Sequence, residues 1–127
     1  MKIATSRYQA SRLILASGLA PVRTTLYHPR FPLGYELAGA LPELAPRRAI
    51  LRLRGAEFEQ AYRAQLERES LEQLSMTMTE IAEAAGAPGL ALLCFEDVLG
   101  TGLQCHRRIF ASWWKEKTGQ EACELGS

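Results

Sequence analysis

A small three-layer α/β domain, with a mainly parallel sheet flanked by helices, is the fold class that the sequence predicts. Three observations carry it. Residues 90–95, LALLCF, form a continuous apolar run bounded by turn residues, the pattern of a strand buried on both faces of a parallel sheet. Strand-like stretches elsewhere alternate with helical periodicity, the arrangement of crossover-linked parallel strands. At 127 residues with 47% hydrophobic composition, the chain can fill one core and is too short for two comfortable domains. A single domain over residues 1–125 is therefore expected, with Gly126 and Ser127 set apart as terminal residues.

Lys2 to Thr5 reads as the first strand. Ser6-Arg7-Tyr8-Gln9 has the form of a capping box and predicts a helix over residues 7–17, ended by Gly18. Residues 22–27 alternate Val22, Thr24 and Leu26 against Arg23, Thr25 and Tyr27, as a strand with one buried face does. The stretch HPRFPLGYE is loop chemistry, punctuated by Pro29, Pro32 and Gly34. Helical turns are expected within Tyr35 to Leu44, and a short helix from Pro46.

Residues 56–85 are helical in period: Phe58, Tyr62 and Leu66 fall four apart, and Leu71, Leu74, Met78, Ile81 and Ala85 recur at three and four. The phase breaks between Leu66 and Leu71, where Ser70-Leu71-Glu72-Gln73 forms a second capping box, so two helices or a kinked pair is predicted. After the buried strand, Thr101-Gly102-Leu103-Gln104 is a third capping box. It opens a helix that runs to about Lys117 and stops at Thr118-Gly119. Residues 121–125 fit a short edge strand. No internal repeat or low-complexity tract is present.

Charge and targeting signals narrow the function. Net charge is +1, which supplies no global drive towards duplex nucleic acid. No run is long enough to span a membrane, and the N-terminus shows no signal-peptide core, so a cytoplasmic protein is expected. Three cysteines, an odd number, argue against a disulfide framework. Arginine far outnumbers the three lysines, and its planar fork suits phosphate or carboxylate.

The candidate site follows from where the strands end. Ligands of open α/β sheets bind at the carboxyl ends of strands, and Cys94 ends the buried strand. Glu96 follows it. Cys105 and His106 fall one turn before Ile109 and Phe110, on the apolar face of the last helix, and should point inwards. Arg107 and Arg108 flank that face near its rim. A cysteine in the first helical turn beside a histidine has the setting of a reactive thiol. Ser6, Arg7 and Tyr8 lie at the end of the first strand, where a helix N-terminus binds anions. His28, Arg30, Phe31 and Tyr35 belong to the loop that closes over the same edge, with Arg30 as an anion ligand and His28 as an acid or base.

The sequence as a whole resembles the domain-of-unknown-function 488 family. The residues that carry the resemblance are TSRY, PRFPLGYE, LPELAPRR and EFEQAYRAQLE, then LALLCFED and CHRRIFASWW. Its most specific element is a cysteine at a strand end followed by Cys-His-Arg, here Cys94 and Cys105-His106-Arg107. The resemblance implies a small α/β fold with a shared pocket around those residues, and no reaction. The loop between the two cysteines is longer and richer in glycine than the family pattern.

Three classes of function remain. The first is an enzyme acting on a nucleotide or other phosphate-bearing small molecule, a hydrolase or transferase with Cys105 as nucleophile or His106 as base and Glu96 as the supporting carboxylate. Arg7, Arg30 and Arg107 would hold the anion. The second is binding without chemistry, of a nucleotide or single strand, through the same arginines and the aromatic Tyr8, Phe31 and Tyr35. The third is zinc held by Cys94, Cys105 and His106, with Glu96 or water; adjacent Cys105 and His106 project about 100° apart on a helix, which fits one tetrahedral ion badly. No cofactor is required by any motif. The paired Trp113 and Trp114 exceed what a small core easily buries and point to a homodimer surface.

Overall fold

The structure, a computed structural model, describes residues 1–95 and 106–126. The elements follow in the order β1 (Lys2–Arg7), α1 (Ser11–Ser17), β2 (Ala20–Arg23), β3 (Gly39–Ala40), α2 (Gly55–Glu67), α3 (Leu71–Ala84), β4 (Gly89–Cys94), α4 (His106–Thr118) and β5 (Ala122–Glu124). Two 3₁₀ turns, Pro42–Leu44 and Ile50–Arg52, link β3 to α2. The five strands form one sheet in the order β3-β2-β4-β1-β5, with every pairing parallel. This is the small α/β domain that the sequence predicts.

β4 is central and buried along its whole length, because helices cover both faces of the sheet. Leu90 and Leu92 share one face with Ile3 and Val22. There they meet Phe58, Tyr62 and Leu66 of α2, Leu74 and Met78 of α3, and Phe110 and Trp113 of α4. Ala91 and Leu93 share the other face with Ala4 and Tyr8, packed by Ile14 of α1 and by Leu33, Tyr35 and Leu37 of the loop before β3. A β-carbon on Gly89 would lie 1.8 Å from the Lys2 carbonyl oxygen, so β4 can start against β1 only with glycine there. Among the described residues, no helix is long and apolar enough to cross a membrane.

Several boundaries differ from the sequence reading, each for a tertiary reason. The Ser6–Gln9 capping box does not form. Pairing with β4 carries β1 on to Arg7, with Ser6 opposite Leu93 and Arg7 opposite Cys94, and the Tyr8 amide donates to the Cys94 carbonyl. α1 therefore starts only at Ser11, with no side-chain cap. β2 ends at Arg23, where its pairing with Leu93 of β4 and Ala40 of β3 ends. Tyr35 to Leu44 gives one helical turn, the 3₁₀ turn at Pro42–Leu44, preceded by a two-residue edge strand, because Gly39 and Ala40 pair with Val22 and Arg23. No helix restarts at Pro46; the 3₁₀ turn at Ile50–Arg52 takes its place.

Other boundaries agree. Gly18 ends α1 at φ 70, and Ser70 caps α3 by accepting a hydrogen bond from the Gln73 amide. β5 is an edge strand at the expected place. The third capping box, at residues 101–104, lies outside the described residues.

Trp113 and Trp114 are both buried, at 1% and 3% exposure. Their rings pack with Phe110, and their indole N–H groups donate to Glu67 Oε1 and Gln120 Oε1. The single chain covers both, so the pair supplies no reason for a dimer.

Candidate functional site

The carboxyl edge of the sheet brings two groups of residues together, one on each face. Strand alternation sends Cys94 to the face covered by α4 and Phe95 to the face covered by α1.

On the α4 face, Arg107 is the organising residue. Its Nε and Nη2 donate to Glu124 Oε1 and Oε2, both at 2.9 Å, in a bidentate ion pair. Its Nη1 donates to Cys94 Sγ at 2.9 Å. Thr5 Oγ1 donates to Glu124 Oε1 at 2.8 Å. The side chain is 3% exposed, which corrects its expected place at the rim. The edge strand makes this burial workable: Glu124, on the inward face of β5, supplies the counter-charge that a buried guanidinium requires. Arg108 is exposed. Arg7 ends β1 directly opposite Cys94.

His106 is the first described residue of α4 and is buried, as expected. Thr24 Oγ1 gives its hydrogen to the Leu93 carbonyl at 2.7 Å. It must therefore accept from His106 Nε2, 3.1 Å away, and the Thr24 carbonyl oxygen accepts from the same nitrogen at 2.9 Å. That assigns the hydrogen to Nε2 and makes Nδ1 the basic nitrogen of the neutral ring. The Tyr62 ring packs edge-on at 5.6 Å. The space among Thr24, Tyr62, Leu92, His106 and Phe110 is too small for a water molecule.

On the α1 face, an open pocket of about 440 Å³ is lined by Tyr27, His28, Arg30, Phe31 and Phe95. Phe95 packs on the Tyr8 ring at 4.8 Å and meets the Phe31 ring edge-on at 6.3 Å. The pocket wall is fixed from beneath. Thr25 Oγ1 donates to the Tyr27 carbonyl at 2.7 Å, so the Tyr8 hydroxyl, 2.7 Å from the same Oγ1, is its donor. Tyr35 donates to the Tyr8 carbonyl at 2.7 Å, and Arg23 Nη1 donates to the Thr25 carbonyl at 2.8 Å.

Burial pushes both the Tyr8 and Tyr35 hydroxyls up to about 12, so both remain donors at neutral pH. In His28, Nδ1–H donates to the Pro29 carbonyl at 2.9 Å, which leaves Nε2 as the basic nitrogen of the neutral ring.

The expected residues thus divide. Cys94, Arg7, His106 and Arg107 gather on one face, and Tyr8, Tyr35 and Arg30 belong to the other. Ser6 is buried within β1, so no helix N-terminus lies at that position. Tyr8 and Tyr35 are positioning residues beneath the pocket. Cys105 and Glu96 lie outside the described residues. Cys94 Sγ faces a guanidinium, the opposite of the environment a zinc ligand needs.

Sequence reasoning missed Glu124, Thr24, Thr25, Tyr27 and Phe95. Glu124 carried one usable signal, a carboxylate in step with the apolar Ala122 of a short strand. The chain matches no protein-family model, no curated protein and no solved structure.

Proposed function

We propose that the carboxyl edge of the sheet binds a nucleotide or another phosphate-bearing small molecule and acts on it by hydrolysis or group transfer. We also take the chain to be a member of the domain-of-unknown-function 488 family, on its Cys94 and Cys105-His106-Arg107 pattern. The observation that carries the functional reading is the open pocket. Three aromatic rings, Tyr27, Phe31 and Phe95, share a space of about 440 Å³ with the guanidinium of Arg30, which lies within the range of small-molecule sites. The rings offer stacking surface to a base, and the guanidinium offers paired donors to a phosphate. His28 Nε2 is placed to move a proton in that space.

Binding without turnover is the second reading. It is favoured by the burial of Cys94 and by the engagement of His106 with Thr24, which hold both groups within the protein rather than at the pocket wall.

One experiment addresses both. The protein is incubated with AMP, ADP, ATP or inorganic phosphate, its thermal midpoint is followed, and the nucleotide is recovered and analysed. Stabilisation that disappears in Arg30→Ala supports the pocket. Altered nucleotide that disappears in His28→Ala supports the enzyme, and unaltered nucleotide supports binding alone. No stabilisation by any of the four compounds would overturn the proposal.

A further inference from the structure

Residues 47–54, RRAILRLR, carry Arg47, Arg48, Arg52 and Arg54 within eight positions, and all four are exposed. No carboxylate among the described residues forms an ion pair with any of them. The remaining eleven lysines and arginines of the chain face fourteen aspartates and glutamates. The rest of the chain therefore sums to a net negative charge, although its carboxylates all lie from Glu36 onwards and residues 1–35 carry Lys2, Arg7, Arg12, Arg23 and Arg30.

The segment is also held rigidly. Ile50 and Leu53 pack against the main core, and the Arg47 amide donates to Gln65 Oε1 at 3.1 Å. Gln65 Nε2 in turn donates to the Glu43 and Ala45 carbonyls. The arginines consequently project from a fixed backbone.

Their position relates to the edge of the sheet. α2 runs beside α4 in the same direction, with Tyr62 level with His106, Arg63 with Ser112 and Glu116, and Glu67 with Trp113 and Lys117. Gly55, seven residues before Tyr62, lies about 10 Å further along that axis at the usual helical rise. Arg52 and Arg54 therefore stand beyond the carboxyl edge, on the face of α2 and α4, across the sheet from the α1 face that carries the pocket.

We infer that residues 47–54 are a docking surface for the phosphate backbone of a single nucleic-acid strand. The choice of a strand rests on the nucleotide reading of the pocket, since an unpaired base is what an aromatic site at the same edge can take. Guanidinium forks match phosphate oxygens in pairs. A lipid surface fits less well, because Ile50 and Leu53 are packed against the core and only Leu51, at 40% exposure, and the small Ala49 remain exposed. The molecule handled at the edge is then a nucleotide unit of a strand rather than a free nucleotide.

The test is fluorescence anisotropy with a labelled single-stranded oligonucleotide of about 20 nucleotides, several OB-fold site lengths. Four phosphate contacts predict a log–log salt slope of about −2.8, hence about fifty-fold weaker binding between about 50 and about 200 mM salt. Combined Arg47→Gln, Arg48→Gln, Arg52→Gln and Arg54→Gln should abolish most of the binding and its salt slope while leaving AMP stabilisation unchanged. Strand binding unaffected by the four changes would overturn the inference. So would duplex, polyglutamate or anionic phosphatidylserine vesicles competing through the same arginines as well as the strand does. Patch-dependent strand binding without AMP stabilisation would refute the pocket reading and leave the docking surface standing.

Discussion

Replacing Glu124 by glutamine tests whether the ion pair with Arg107 organises the carboxyl edge. The substitution keeps the shape of the side chain and removes the charge opposite a guanidinium that is 3% exposed. Removing one partner of a fully buried pair costs about 3–5 kcal/mol. Glu124 is 25% exposed, and water reaching it lowers the expected loss to about 2–3 kcal/mol.

With a urea dependence of about 2 kcal/mol per molar, the unfolding midpoint of Glu124→Gln should fall by about 1–1.5 M at an unchanged slope. The double variant Arg107→Met, Glu124→Leu removes both charges and fills the space with apolar groups, so its midpoint should return to within about 0.5 M of the parent. Among the partners described, Thr5 Oγ1 must then find another acceptor and Cys94 Sγ loses a donor. A single variant that loses less than about 0.5 kcal/mol, or a double variant no better than the single, would refute the reasoning.

Gly89→Ala should prevent stable folding, since its β-carbon would meet the Lys2 backbone at 1.8 Å, whereas Gly86→Ala, in open space at φ +65, should fold with a loss of about 1 kcal/mol; soluble expression and circular dichroism distinguish the two. Native alkylation followed by peptide mass spectrometry should modify exposed Cys123 quickly and buried Cys94 only as the protein opens. The contribution of Tyr8 and Tyr35 to stability should be constant at neutral pH and fall from about pH 10 to about pH 12, because the unfolded tyrosines release protons there while folded Tyr8 and Tyr35, raised to about 12, keep theirs. Tyr8→Phe should flatten that fall in an alkaline denaturation series, and an unchanged profile would contradict it.

The central features were legible because they depend on local pattern. An uninterrupted apolar run can only be a strand covered on both faces or a buried helix, and flanking turn residues decide for β4. The break at Ser70 was visible because a cap and a phase jump coincide. The Ser6 box misled because a side-chain cap is worth about 1 kcal/mol, less than continued pairing of β1 with β4, and the pairing partner is more than eighty residues away in the chain.

The site was half legible for the same reason. Cys94 and His106 are placed by their own elements, whereas the burial of Arg107 depends on Glu124, seventeen residues further on and across β5. Nothing near Arg107 in sequence announces its partner. The pocket is likewise built by a loop whose shape is set by its own Tyr35 and by Tyr8, which comes from the end of β1.

The adjacent, tilted indoles of α4 have an optical consequence. Trp113 and Trp114 are the only tryptophans in the chain, and their ring centroids lie 6.3 Å apart in a dry environment. Intrinsic tryptophan fluorescence therefore originates entirely from α4, the helix that carries His106 and Arg107. A shift of α4 against Glu67 or Gln120 changes the hydrogen bonding of one indole and with it the emission. The protein thus contains an unlabelled reporter two turns below its own carboxyl edge.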